Sequence, residues 1–101
     1  MQYNKLVRDK IPEVIKQNGK IQIIHIADDE EYCQKLKEKL REEVEEFLES
    51  EAKEEIADIF EVLYAICDFK NIDRQRLENR RKEKAKKRGG FKKRIILDEV
   101  R

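Results

Sequence analysis

Two stretches of the chain carry apolar residues at helical spacing. Leu36, Leu40, Val44, Phe47 and Leu48 recur at three- and four-residue steps, which places them along one face of an α-helix. Asp28 and Asp29 precede this stripe as N-cap residues, with Glu31 three positions after Asp28, so the predicted helix runs from about Asp29 to Glu49. A second stripe, made of Ile56, Ile59, Phe60, Leu63, Ile66 and Cys67, predicts a helix from about Glu51 to Phe69. Its apolar face is broad enough to pack on more than one neighbour. Only Leu48 to Glu54 separates the acidic pair Glu43 and Glu46 on the first helix from Glu55 and Asp58 on the second, with Ser50 as the one weak helix former near the middle. So short a connection makes the two helices antiparallel neighbours.

The flanks are read from punctuation and residue type. Met1 to Lys10 is a polar segment leading into a short helix at about Asp9 to Gln17, which Asn18-Gly19 terminates. The isoleucines of Lys20 to Ala27 predict a strand. Asn71 and Asp73 break the second stripe and cap a third long helix that ends at Gly89-Gly90, and Arg94 to Asp98 predicts a last strand able to pair with the Ile21 strand. The expected fold is mainly α, an antiparallel helical bundle with a small two-stranded sheet, and residues 1–101 are expected to form a single domain.

Composition adds two expectations. Apolar residues are 39% of the chain and aromatics 7%, a thin core for a domain of this size, so a homo-oligomer, dimer or tetramer, is expected to complete it. The net charge of +1 conceals a segregation: residues 28–61 hold 15 acids against 5 bases, and residues 74–94 hold 12 bases against 2 acids. An acidic centre and a basic tail suit a site in which metal ions and anionic phosphates are held between opposite charges. Neither a leader with a cleavage site nor an apolar run of membrane-spanning length is visible, so a soluble, cytoplasmic protein with no membrane partner is expected. Cys33 and Cys67 fall on predicted helices and read as small buried hydrophobes. His25, the sole histidine, lies among isoleucines as a strand residue, and no Ser/His/Asp or Cys/His constellation can be assembled.

The chemistry is carried by two short acidic spacings. Glu43-Val44-Glu45-Glu46 and Glu55-Ile56-Ala57-Asp58 each set two carboxylates about one turn apart at the edge of an apolar stripe. If the stripes pack together, Glu43, Glu46, Glu55 and Asp58 meet beside the seam. Hard divalent cations take oxygen ligands, and Mg²⁺ commonly completes its shell with substrate phosphates, so the expected cofactor is Mg²⁺, with Mn²⁺ as substitute, and the expected substrate is phosphorylated. Charged residues are 47% of the chain, and a solvated helix face also produces such spacings. The repetition of the pattern on adjacent helices favours the metal site.

These four residues resemble the hallmark of the MazG-like, all-α nucleoside triphosphate pyrophosphohydrolase superfamily, which includes phosphoribosyl-ATP pyrophosphohydrolase: a glutamate-rich ExxE on one helix and ExxD on the next. The opening Tyr3-Asn4-Lys5-Leu6-Val7-Arg8-Asp9-Lys10-Ile11-Pro12 and the closing Arg88-Gly89-Gly90-Phe91 resemble a small branch of that superfamily. These flanks depart from the phosphoribosyl-ATP enzyme itself, which argues against histidine biosynthesis. The resemblance implies hydrolysis between the α and β phosphates of a nucleotide, releasing monophosphate and pyrophosphate, as in house-cleaning of non-canonical nucleotides. It implies Glu43, Glu46, Glu55 and Asp58 as metal-binding and catalytic residues, with one glutamate, Glu46 among the candidates, available as a base. Phosphoryl chemistry relies on positioning and electrostatics, so cations are needed opposite the metal, and Lys5, Arg8, Lys10, Lys84, Lys87 and Arg88 are the candidates for binding phosphate. Two readings from other classes compete: a nucleic-acid-binding or helical interaction module using the basic 74–94 segment, and a structural helix hairpin that dimerises by charge complementarity and needs no metal.

Overall fold

The computed structural model describes residues 3–101. Its four helices are α1 (Ile11–Gln17), α2 (Asp29–Ser50), α3 (Lys53–Phe69) and α4 (Arg74–Arg88). The predicted helices fall within a few residues of these bounds. Pro12 occupies the first turn of α1, where its missing N–H costs nothing. Asp28 starts α2 by accepting a hydrogen bond from the Glu31 backbone N–H at 2.9 Å, and Asp73 does the same for α4, accepting from the Arg76 N–H at 3.1 Å.

Two residues suffice to reverse the chain between α2 and α3. Glu51 takes a left-handed conformation (φ 55°) and its N–H donates to the Phe47 carbonyl, closing the last turn in the manner of an αL cap. Ala52 N–H then donates to Ser50 Oγ at 3.2 Å. The result is an antiparallel hairpin, and the packing at its far end agrees: Tyr32, near the start of α2, meets Phe69, at the end of α3, edge to face with ring centroids 5.2 Å apart. Leu36, Val62 and Cys67 are the buried hydrophobic residues between them, bordered by half-buried Leu40, Val44, Phe47, Ile59 and Ile66. Among the described residues, α2 and α3 form the one substantial helix pair.

The predicted two-stranded sheet is not formed. Among the described residues there is no strand: 20–28 and 94–101 run as irregular chain, with Ile21 and Ile23 each 98% exposed. A lone strand has unpaired backbone donors and acceptors and no face to bury, and a two-stranded ribbon is marginal even when paired. The apolar residues are present, but nothing packs on them. His25 therefore does not sit in a strand; its ring Nε2 lies 2.8 Å from Glu31 Oε1 and ties the 20–28 segment to the first turn of α2.

α4 buries no residue. It is joined to α3 by a turn in which Asn71 is left-handed (φ 56°), and Arg74 fastens that turn by pairing with Asp68 at 3.0 Å while lying over the Tyr64 ring, 4.3 Å from its centroid. Gly89, with φ 84°, ends the helix where a side chain would be strained. The extents are 60 × 31 × 25 Å, an elongated molecule with an exposed basic helix beyond the hairpin. Among the described residues, no helix is long and apolar enough to cross a membrane.

Candidate metal centre

The hairpin brings three of the four singled-out acids together. One carboxylate oxygen from each of Glu43, Glu55 and Asp58 lies within 4.8 Å of the others. Glu43 comes from the middle of α2, and Glu55 and Asp58 from the first two turns of α3, so the tight Glu51-Ala52 reversal is what sets them side by side. Glu46 is exposed and lies outside this trio, although its charge adds to the burial that raises the Glu43 pKa.

The burial of Glu43 separates this trio from an ordinary acidic face, while Glu55 and Asp58 are half-buried. Glu43 is 6% exposed and is the buried charged residue of the molecule among those described. Glu43 Oε2 and Glu55 Oε2 are both buried without a hydrogen-bond partner. A buried carboxylate oxygen with no donor is costly, and a cation held by the trio would supply the missing partner. Oxygens bound to Mg²⁺ at about 2.1 Å stand about 3 to 4 Å apart, and the 4.8 Å upper limit on the trio's oxygen separations lies close to that range. The donor set is all carboxylate oxygen, which suits Mg²⁺ or Mn²⁺ rather than a softer ion.

Two cations border the trio. Lys39, one turn before Glu43 on α2, places its Nζ 3.2 Å from Glu43 Oε1 and 3.4 Å from Glu42 Oε1. Desolvation is the largest influence on both partners. It raises Glu43, reinforced by Glu46 and opposed by Lys39, and the net shift is upward. It pulls Lys39 down, but Glu43 and Glu42 together outweigh it, and the Lys39 pKa also ends above its ordinary value. The second cation is Arg8, whose Nη2 donates to Asp58 Oδ1 at 2.8 Å.

The remaining candidate cations are spread out. Lys5 pairs with Glu42 at 3.4 Å, close to Lys39 rather than on the trio. Lys10 is the residue preceding α1. Lys84, Lys87 and Arg88 lie along α4, where they line a shallow groove with Arg80, Glu83 and Lys86, and beyond the Arg74 contacts at its first residue α4 makes no substantial packing on the α2–α3 hairpin among the described residues. Lys39 and Glu42 were not singled out from the sequence, yet Lys39 stands four residues before Glu43, the spacing at which helical ion pairs form. Comparison with protein-family models, curated proteins and solved structures returns no match for this chain.

Proposed function

We propose that this protein is a Mg²⁺-dependent nucleoside triphosphate pyrophosphohydrolase of MazG-like type, cleaving between the α and β phosphates to give a nucleoside monophosphate and pyrophosphate. The single observation that carries the reading is the pair of buried, unpartnered oxygens on Glu43 and Glu55 within the Glu43–Glu55–Asp58 trio. An acidic face built only for solubility would keep those oxygens in water. The sequence resemblance supplies the reaction class; the carboxylate geometry is consistent with it.

Glu43, Glu55 and Asp58 hold the metal in this reading, and Lys39 keeps Glu43 oriented toward it. Mg²⁺ when bound supplies charge neutralisation for the polyphosphate and makes a water nucleophilic at neutral pH. One glutamate serves as base in this reading, and Glu46, exposed on the turn after Glu43, is the candidate outside the metal-binding trio. Arg8, paired with Asp58, is the cation nearest the trio for an anionic chain, and positioning is the main protein contribution to phosphoryl chemistry. Self-association belongs to the same proposal: Ile56, Phe60, Leu63 and Tyr64 are exposed on α3, with the Phe60 and Tyr64 rings stacked at 6.3 Å, and a second copy would cover them.

The test is a screen of standard and damaged nucleotides with Mg²⁺ or Mn²⁺, with pyrophosphate and phosphate detected separately. Metal-dependent release of pyrophosphate supports the reading, and release of phosphate alone contradicts it. A second reading, in which the basic 74–94 segment binds nucleic acid, is favoured by one observation: α4 buries no residue and leaves its cationic side chains open. Duplex binding that survives moderate salt would favour that reading.

A further inference from the structure

The two cations beside the acidic trio are built differently. Lys39 and Glu43 are both largely shielded, with side-chain exposures of 18% and 9%, and both sit on α2, so parting them would leave a charge with little access to water. Arg8 and Asp58 are open to solvent at 57% and 39%, and Arg8 belongs to the segment before α1 rather than to the hairpin. Exposed ion pairs contribute little stability because water screens them and the side chains lose freedom on pairing. Arg8 can therefore leave Asp58 at small cost.

The segment that carries Arg8 is nevertheless held in place. The Asn4 carbonyl accepts a hydrogen bond from Lys35 Nζ at 2.8 Å, Lys5 pairs with Glu42 at 3.4 Å, and Leu6 between them is half-buried. The backbone is thus strapped along α2, while the guanidinium at its end rests on a carboxylate of the trio. Only the side chain of Arg8 has to swing for the contact to break.

We propose that Arg8 is an exchangeable counter-ion of this site: it pairs with Asp58 while no divalent cation is bound, and it turns to the polyphosphate of the ligand once a divalent cation takes over Asp58. This rests on the metal reading given above. A divalent cation among Glu43, Glu55 and Asp58 repels a guanidinium 2.8 Å from Asp58, and the planar fork of arginine matches two phosphate oxygens as well as it matches a carboxylate. The strap keeps the freed guanidinium at the rim of the site instead of letting it diffuse away. The same residue thereby opposes the metal when the metal comes alone and favours the ligand when metal and ligand come together.

That reversal of sign is what the experiment reads. The full chain and Arg8→Gln are titrated with Mn²⁺ alone, and then with a nucleoside triphosphate analogue carrying a non-hydrolysable α,β-methylene bridge at saturating Mn²⁺. Arg8→Gln is expected to bind Mn²⁺ alone about threefold or more tighter, because a competing positive charge has gone. It is expected to bind the analogue about tenfold more weakly, through loss of a charge-assisted contact. Mn²⁺ affinity unchanged or reduced in Arg8→Gln, or analogue affinity unchanged, overturns the proposal while leaving the metal reading standing. Absence of Mn²⁺ binding by the unaltered chain overturns both.

Discussion

Glu43 shows at the scale of one residue how a carboxylate can be kept for use at a cost to the fold. Its burial raises its pKa, with the charge of Glu46 adding to the effect and Lys39 offsetting part of it. The folded-state pKa lies above the unfolded one, so between the two values the folded protein holds a proton that the unfolded chain has released. The stability contributed by this group is therefore present below the unfolded value and is lost as pH rises through the folded value. Glu43→Gln, which keeps the volume without the charge, is expected to raise the melting temperature of the metal-free protein at neutral pH. The gain should shrink as the solution is acidified toward the ordinary carboxylate range, and a variant less stable than the parent at pH 7 would contradict this. Glu43→Gln and Asp58→Asn are also expected to abolish Mg²⁺-dependent pyrophosphate release with the far-UV circular dichroism unchanged, since a hard cation needs the charge an amide lacks. The positions of Glu43, Glu55 and Asp58 were legible in the sequence because helical spacing sets them beside the apolar stripes. The Arg8–Asp58 contact was not, because the two residues are 50 positions apart and no periodicity relates them.

At the scale of elements, the α2–α3 hairpin is where local pattern and packing agree. Leu36 is 2% exposed and Leu48 69%, although both belong to the same sequence stripe. Leu36→Ala is expected to cost about 3 kcal/mol, combining lost transfer energy with a residual cavity, and Leu48→Ala about 0.5 kcal/mol or less. Urea denaturation of the two variants checks this, and equal losses would show that the packing face has been misassigned. The stripe predicted a helix correctly but ran one residue wide of the buried face, as a 3.6-residue period allows at its edge. The isoleucines at Ile21, Ile23, Ile24 and Ile26 illustrate a different limit. Their β-branched composition favours extended chain, but composition says nothing about whether a second strand is near enough to pair, and among the described residues none is. The caps at Asp28 and Asp73 were readable because they act within three residues; strand pairing acts over the whole chain and was not.

At the scale of the molecule, a slender hairpin with a short buried core carries an exposed apolar face on α3 and an exposed basic helix beyond it. Covering the Phe60 and Tyr64 rings removes apolar area from water, the term that drives most association. Sedimentation at micromolar concentration is expected to show a dimer or tetramer, and Phe60→Glu to shift it toward monomer; a parent chain that is strictly monomeric would contradict this. Whether the α2–α3 carboxylates hold a divalent cation is read most directly by a Mn²⁺ titration followed by electron paramagnetic resonance, which depends on no choice of nucleotide. The parent chain is expected to take up Mn²⁺ saturably, and Glu43→Gln, Glu55→Gln and Asp58→Asn each to lose about tenfold or more in affinity, the effect of removing one charged ligand from a small oxygen shell. No uptake by the parent, or equal uptake by all three variants, would show the trio to be a surface acidic cluster and nothing more.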